Sequence, residues 1–132
     1  MKAVVFDAHA ILKFSQDEDG ADKVEEYLIA SQQGSLKAYM SEINLGEVYY
    51  KTIRSRGLEL AKYYLEQFLE LPIEVISPSS EIIMTASEIK AEYAISYADC
   101  FSVATALKFS SSIITGDPEF KKIEDLIPIE WL

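Results

Sequence analysis

Cysteine, histidine and long apolar segments are the scarce features of this 132-residue chain. Cys100 is the only cysteine, so no disulfide can form within the chain, which fits a reducing cytoplasmic setting. The single histidine leaves no His/Cys cluster, which argues against zinc. No apolar run approaches the length needed to cross a bilayer, and Asp7 and His9 interrupt the apolar N-terminal segment that would otherwise resemble a signal peptide. We therefore expect a soluble, cytoplasmic protein.

Basic residues are also few, with 12 Lys and Arg against 22 Asp and Glu and a net charge of −10. A protein that grips nucleic acid through many phosphate contacts is usually basic, so this balance argues against a non-specific nucleic-acid binder. It leaves room for a metal-dependent enzyme, whose carboxylates a cation neutralises, or for a protein that docks on a basic partner. The length and the 49% hydrophobic content predict one globular domain over residues 1–132.

Apolar, β-rich segments alternate with segments of helical periodicity. The predicted strands are residues 2–6, 36–40, 73–76 and 112–115, with a last edge strand near 129–131. Ser41, Ser79 and Ser96 are predicted to cap helices, and Gly34 and Gly57 to end them. Strands that alternate with helices form a parallel sheet covered on both faces. The predicted fold is a three-layer α/β/α sandwich with a mostly parallel sheet of four to five strands.

Four acidic residues lie at the ends of apolar segments. Asp7 closes the strand that contains Val4–Phe6, and Asp117 follows the strand at 112–115. Glu47 and Asp99 each lie early in a predicted helix. The carboxyl edge of an open α/β sheet is where ligands bind, so all four side chains are expected at one edge. The commonest reason for carboxylates to converge from distant parts of a chain is a divalent cation.

Each carboxylate also has an ordinary structural explanation. Asp7 and Asp117 directly precede predicted helices and can cap them. Asp99 follows a capping serine at the capping-box spacing. Glu47 lies four residues before Lys51, a spacing that suits an ion pair on a helix. Taken singly the structural explanation is favoured for each, but four independent caps have no reason to share one edge of the sheet.

Three neighbours of these carboxylates carry further expectations. Gly46, inside a predicted helix, suggests a close backbone approach beside Glu47. Asn44 either helps to cap the same helix or orients a water ligand. Thr115 either donates a hydrogen bond to the carboxylate of Asp117, two residues on, or is an ordinary strand residue.

Four sequence segments together carry a family resemblance: VVFDAHAIL, SEINLGEVYY, ISYADCFSVATAL and IITGDPEF. In their order and spacing, which cover nearly the whole chain, they resemble a PIN domain, particularly the small ribonuclease toxins of VapBC-type toxin–antitoxin systems. The resemblance implies an endoribonuclease that uses Mg²⁺ or Mn²⁺ to hydrolyse RNA phosphodiester bonds, leaving 5′-phosphate and 3′-hydroxyl ends. It also implies a homodimer and an antitoxin protein as partner.

The resemblance assigns the metal-binding and catalytic roles by motif position. These roles fall on Asp7, Glu47, Asp99 and Asp117. Thr115 matches a hydroxyl position beside the last aspartate. His9 departs from the family, which frequently carries Asn or Ser at that position, and it either touches substrate or is structural.

Two further surfaces are singled out. Lys51 and Arg54 follow Glu47 by four and seven residues on one helical face, and we expect them either to bind flanking phosphates or to form a solvated, salt-bridged face. The aromatic segments 48–50 and 63–68 exceed what one small core requires. Most of their side chains belong to the core, and the surplus suits a homodimer interface and a groove for an antitoxin segment.

Three other functions compete with a nuclease. A haloacid-dehalogenase-like phosphatase also uses Mg²⁺ and an Asp after its first strand, but it usually needs a second Asp two residues on, where this chain has His9. A receiver domain needs a lysine after a late strand, where Asp117 stands. A catalytically silent PIN-like module that binds RNA or protein is the third, and retention of all four carboxylates argues against it.

Overall fold

The computed structural model describes residues 1–132. Along the chain lie β1 (Lys2–Phe6), α1 (Ala8–Ser15), α2 (Ala21–Gln32), β2 (Leu36–Ser41), α3 (Glu42–Arg56), α4 (Leu58–Phe68), β3 (Glu74–Ile76), α5 (Ser80–Glu92), α6 (Tyr97–Lys108), β4 (Ser112–Thr115), a 3₁₀ helix (Pro118–Ile123) and β5 (Ile129–Trp131). All five predicted strands are present, and the alternation of strands and helices confirms the predicted fold class.

The five strands form one sheet in the order β3-β2-β1-β4-β5, and every neighbouring pair is parallel. β1 is therefore the central strand. The chain leaves it toward β2 and β3 on one side, whereas β4 and β5 lie on the other. This reversal of strand order beside β1 is a topological switch point, where a crevice opens at the carboxyl edge of the sheet.

Successive residues of β1 pack into two separate cores because side chains alternate between the faces of a strand. Val5 packs with apolar residues of α5, α6 and the segment near the 3₁₀ helix. Val4 and Phe6 pack on the opposite face with residues of α1 and α2, including Ile11 and Val24. Helices thus cover both faces of the sheet, as the three-layer prediction requires.

The predicted helix caps are formed. The hydroxyls of Ser41, Ser79 and Ser96 accept hydrogen bonds from backbone N–H groups two or three residues on, at 3.1–3.3 Å. Gly57 ends α3 and begins α4 with φ of +88°, a backbone conformation that disfavours residues with a Cβ. None of the helices is long and apolar enough to cross a lipid bilayer.

The expectation for Gly46 is wrong. This glycine is exposed on α3, and a Cβ placed there would have no atom within 4 Å. No other backbone segment comes close to it, so the glycine only weakens the helix locally. The sequence signal for close approach beside Glu47 therefore came from a residue that lies on the solvent side.

Candidate active site

Asp7 is the first residue after β1 and only 1% of it is exposed. Its Oδ1 accepts a hydrogen bond of 2.8 Å from the backbone N–H of Ala10 and so caps α1. Its Oδ2 accepts a hydrogen bond of 2.5 Å from the Thr115 hydroxyl at the end of β4. The capping role is confirmed, but it uses only one oxygen. The second oxygen is held toward the neighbouring strand, at the switch point of the sheet.

The expected partner of Thr115 needs correction. Its hydroxyl does not bond to the Asp117 carboxylate; it donates to Asp7 and accepts a 3.0 Å hydrogen bond from the backbone N–H of Asp117. The Asp117 Oδ1 instead accepts from the backbone N–H of Glu119 at 3.0 Å and starts the 3₁₀ helix. Thr115 therefore ties the end of β4 to both acidic residues, one through its donor and one through its acceptor.

Glu47 does not pair with Lys51, since the two form no ion pair within 4 Å. Its Oε1 instead accepts a 3.0 Å hydrogen bond from the side-chain amide of Asn44, one turn earlier on α3. The alternative explanation of Glu47 as half of a helix ion pair is thus wrong. Glu47 is held by a neutral amide, which leaves its negative charge available to a cation.

Asn44 is fully buried and joins α3 to α6. Besides Glu47, its amide donates to the Ala98 carbonyl at 3.1 Å, and its Oδ1 accepts a 2.7 Å hydrogen bond from the Ser102 hydroxyl. The side chain does not cap α3, and its orienting of a water ligand stays a prediction. Ser102 was missed by the sequence reasoning, although a hydroxyl one turn after Asp99 in an otherwise apolar helix was a signal for it.

The pKa values of Asp7 and Asp99 are both affected by other members of the predicted acidic set. Burial raises the pKa of Asp7 to about 7; hydrogen bonds from Thr115 and Ala10 lower it, and the charges of Asp99 and Asp117 raise it further. Burial also raises the pKa of Asp99 to about 6, where the nearby charges of Glu47 and Asp117 add to the shift. Like charges that disfavour one another's ionisation are what a bound cation relieves.

The donor set fits a hard divalent cation in its chemistry. The residues offer only oxygen atoms, which suit Mg²⁺ and Mn²⁺. No three His, Cys, Asp or Glu side chains are gathered tightly enough in this structure to hold a metal ion at once. A cation therefore requires the carboxylates to close around it, from positions in which they already repel one another.

A comparison with family models gives a match over residues 4–126 to the PIN domain. The chain belongs to the PIN domain family. The phosphatase and receiver-domain alternatives are therefore wrong, because both belong to other families. No curated protein sequence matches the chain.

Solved structures with this PIN fold include chains of toxin–antitoxin complexes. The chain is similar to one in VapBC2 from Rickettsia felis bound to a promoter DNA fragment (TM-score 0.78, 19% identity, 98% of each chain covered). It is also similar to one in DNA-bound VapBC from Salmonella typhimurium (TM-score 0.77, 20% identity, 98% of each chain). A third is VapC20 of Mycobacterium tuberculosis, a toxin that cleaves the sarcin-ricin loop (TM-score 0.71, 18% identity, 89% of this chain and 92% of that one).

The two predicted phosphate-binding cations of this PIN domain lie in different surroundings. Lys51 is exposed and close enough to Asp99 and His9 to lower the pKa of both. The Arg54 guanidinium instead lies over the Tyr50 ring, 5.0 Å from its centroid. Lys51 therefore faces the carboxylates, whereas Arg54 is held on the aromatic surface beside them.

His9 lies at the edge of the same site, half-buried on the first turn of α1. Its Nδ1 is buried and has no hydrogen-bond partner. Burial lowers the pKa of His9, as does the positive charge of Lys13, whereas Asp117 raises it. Lys13, one turn further along α1, was not singled out from the sequence, although its spacing of four residues from His9 predicts that they share a helical face.

The surplus aromatic residues divide between a groove and the open surface. An apolar groove between α1, α3 and α4 is lined by Ser15, Leu45, Val48, Tyr49, Thr52, Ala61, Tyr64 and Leu65. A second depression continues from Ser15 and Tyr64 toward Phe68 and Leu71. Tyr50 and Tyr63 lie outside both and are exposed. The predicted apolar surface beyond the core is thus present on the PIN domain.

Proposed function

We propose that this PIN domain is a metal-dependent endoribonuclease that hydrolyses RNA phosphodiester bonds. The observation that supports the proposal is that carboxylates from separate parts of the chain act on one another: the charges of Asp99 and Asp117 raise the pKa of Asp7, and those of Glu47 and Asp117 raise the pKa of Asp99. Two of them, Asp7 and Asp99, have pKa values raised by burial and by the other acidic residues. Perturbed carboxylates clustered in a crevice are typical of a functional site.

The proposed ligands are Asp7, Glu47, Asp99 and Asp117, holding Mg²⁺ or Mn²⁺ directly or through water. When bound, such an ion makes water nucleophilic near neutral pH and stabilises charge on the phosphoryl oxygens. Within the protein, Asp7 and Asp99 must lose their protons before they can act as ligands, and their raised pKa values place that loss near neutral pH.

The remaining polar residues position these ligands. Thr115 fixes one oxygen of Asp7 while Ala10 fixes the other, so the carboxylate has one orientation. Asn44, anchored by Ser102 and the Ala98 carbonyl, holds the Glu47 carboxylate on the α6 side of the site. Preorganised ligands of this kind lose little freedom when the cation and substrate bind.

We further propose that the protein is the toxin of a toxin–antitoxin pair, acts in the cytoplasm, forms a homodimer and binds a cognate antitoxin. The similarity in fold to chains of VapBC complexes supports this assignment. The small apolar groove between α1, α3 and α4 is the proposed contact for an apolar side chain of an antitoxin segment.

The decisive experiment incubates the purified, partner-free protein with a mixed pool of tRNA and single-stranded RNA. Reactions in Mg²⁺, in Mn²⁺ and in EDTA are compared, with Asp7→Asn as the matched control because it keeps the size of the side chain and its capping oxygen. We expect cleavage that requires the metal and disappears in the variant. The cleaved ends should carry 5′-phosphates.

Two other outcomes separate the alternatives. Metal binding by calorimetry without cleavage of any RNA in the pool would limit the proposal to a narrower substrate. RNA or protein binding with neither metal binding nor cleavage would establish the catalytically silent module instead, and the four carboxylates would then have structural roles only, such as the helix caps that Asp7 and Asp117 form.

A further inference from the structure

The first turn and a half of α1 faces the loop that carries Asp117. A Cβ built on Gly116 would come within 2.9 Å of His9 Cε1 and 3.1 Å of Lys13 Cε. The contact with His9 is shorter than folded proteins allow and the contact with Lys13 is unusually tight, so these two side chains occupy the space that a side chain at position 116 would need. The imidazole and the lysine therefore lie together over the Thr115–Asp117 loop, at the border of the carboxylate site.

Lys13 has no charged partner there. It is half-buried, yet its ammonium group forms no ion pair within 4 Å and donates no side-chain hydrogen bond. Lys2, Lys37, Lys108 and Lys122 pair with glutamates, whereas the exposed Lys51, Lys62 and Lys121 form no ion pair either. Lys13 differs from these three because it is half-buried. An unpaired, half-buried cation beside a cluster of carboxylates is suited to an external anion.

His9 lies beside Lys13, and its imidazole has a nitrogen that no protein group hydrogen-bonds. Its Nδ1 is buried without any partner, an arrangement that costs free energy unless another group supplies a hydrogen bond. His9 and Lys13 are four residues apart on α1 and so project on the same side of the helix. The Nδ1 atom itself faces Gly116, where a Cβ would lie 3.3 Å from it, so the Lys13 ammonium and the remaining part of the half-buried imidazole are what an entering group could contact.

We propose that His9 and Lys13 form a subsite for an RNA phosphate next to the scissile one, and that Gly116 is what leaves room for it. The inference rests on the proposed ribonuclease function and extends it by assigning the path of the bound strand across the site. Lys51 lies on α3, near Asp99, and the two lysines then flank the carboxylates from different helices. The RNA backbone would cross the site from α1 to α3, and its phosphates would bind Lys13 on one side of the carboxylates and Lys51 on the other.

The test is the salt dependence of RNA cleavage by Lys13→Gln. Each phosphate contact on single-stranded nucleic acid contributes a slope of about −0.7 to log K against log salt concentration. We expect kcat/KM of Lys13→Gln to fall about three- to tenfold at low salt, with its salt slope reduced by about 0.7 and the change residing in KM. His9→Ala should raise KM with little change in the slope.

Lys108→Gln is the matched control, because it removes the same charge from the opposite end of α6, away from Asp99. Its cleavage kinetics should follow the wild type at every salt concentration. Thermal unfolding of each variant checks that a loss of activity does not come from a loss of fold. An unchanged slope and KM in a folded, active Lys13→Gln protein would overturn the subsite.

Gly116→Ala supplies an independent test of the geometry. The added methyl must displace His9 or Lys13, so KM should rise as it does in Lys13→Gln. In a His9→Ala background the imidazole is gone, and the same glycine substitution should then have a much smaller effect. Equal effects in the two backgrounds would contradict the proposed packing. A wild-type protein that neither cleaves nor binds RNA would overturn the ribonuclease proposal itself, and the subsite with it.

Discussion

The Thr115 hydroxyl donates a 2.5 Å hydrogen bond to the Asp7 carboxylate across 108 residues of sequence. It joins the ends of two neighbouring strands, β1 and β4, at the point where the proposed metal site opens. Because the bond is made to the charged form of the carboxylate, it partly offsets the rise in pKa that burial causes.

Thr115→Val should therefore make Asp7 harder to ionise. The substitution keeps the shape of the strand residue but removes the donor, so the pKa of Asp7 should rise above its value of about 7. Mn²⁺ affinity measured by calorimetry should then require a higher pH than in the wild type. Thr115→Ser keeps the hydroxyl and should retain the wild-type profile; coincident profiles for the valine and serine variants would contradict the role of this bond.

The metal-free protein should lose stability as pH rises through the range of Asp7 and Asp99. Their folded pKa values of about 7 and about 6 exceed the ordinary aspartate value of 3.8, so between about pH 4 and 7 the folded state holds more protons than the unfolded state. Raising the pH removes those protons and so lowers the free energy of unfolding. Asp7→Asn should consequently stabilise the metal-free protein on the order of 2 kcal/mol at about pH 8, and much less at about pH 4.

Denaturant unfolding in EDTA at these two pH values checks that prediction. Asp125→Asn is a useful control because Asp125 is an exposed carboxylate whose partner is Tyr93. A destabilised Asp7→Asn protein at the higher pH would show that the hydrogen bonds to Asp7 outweigh its burial.

Divalent cations should stabilise the folded protein at neutral pH. A ligand that binds only the folded state at a hundred times its dissociation constant adds about 2.7 kcal/mol. We expect Mn²⁺ to raise the unfolding temperature of the wild type and to do so much less in Asp99→Asn. Ca²⁺ tests the geometry, since its longer bonds and higher coordination number fit a small oxygen site less well. An equal rise in both proteins would place the metal elsewhere.

The Ser102–Asn44–Glu47 chain of hydrogen bonds should act as a unit. Ser102→Ala leaves the buried Asn44 Oδ1 without its donor and should cost about 1–3 kcal/mol of stability. Asn44→Ala should also release Glu47 and lower kcat more than it raises KM. A double-mutant cycle measured by unfolding and by cleavage should show coupling between the two positions; additive losses would mean that Ser102 does not position Glu47 through Asn44.

Lys51 and Arg54 should differ in their contribution to cleavage although both were expected to bind phosphate. Lys51 acts on Asp99, whereas Arg54 lies on the Tyr50 ring. Lys51→Gln should lower kcat/KM for RNA cleavage about three- to tenfold and reduce its salt dependence. Arg54→Gln should change kcat/KM and its salt dependence little. The reverse order would assign the phosphate contact to the aromatic surface of α3.

The strands of this fold were predictable because their signals are local. β1 and β4 lie at the predicted residues, since each is a short apolar run bounded by a turn or a cap. The bounds near Pro72 differ from those that the sequence predicts: the helical pattern continues to Leu71 but α4 stops at Phe68, and β3 starts at Glu74 instead of at residue 73. Backbone hydrogen bonds there tighten the chain into a turn, with Leu71 N–H bonded to the Phe68 carbonyl at 2.9 Å. Such turns depend on packing more than on residue type.

The candidate site was predictable in its acidic members but not in their partners. The placing of Asp7 and Asp117 at the sheet edge was predictable because each directly follows a strand. The hydrogen bond from Thr115 to Asp7 was not, because it depends on β1 and β4 being neighbours in the sheet. Ser102 likewise meets Asn44 only because α6 packs against α3. Side-chain contacts between elements far apart in sequence are set by tertiary packing, which periodicity does not encode.

The central position of β1 also governs when the carboxylate site comes into existence during synthesis. Asp7 leaves the ribosome more than a hundred residues before Thr115 and Asp117, and β1 has its second neighbour only after β4 has been made. A partly translated chain therefore lacks the strand that holds Asp7 in place and the residue that completes the acidic cluster. The acidic cluster therefore joins residues made at the start of synthesis to residues made near its end, and its geometry depends on the pairing of β1 with β4.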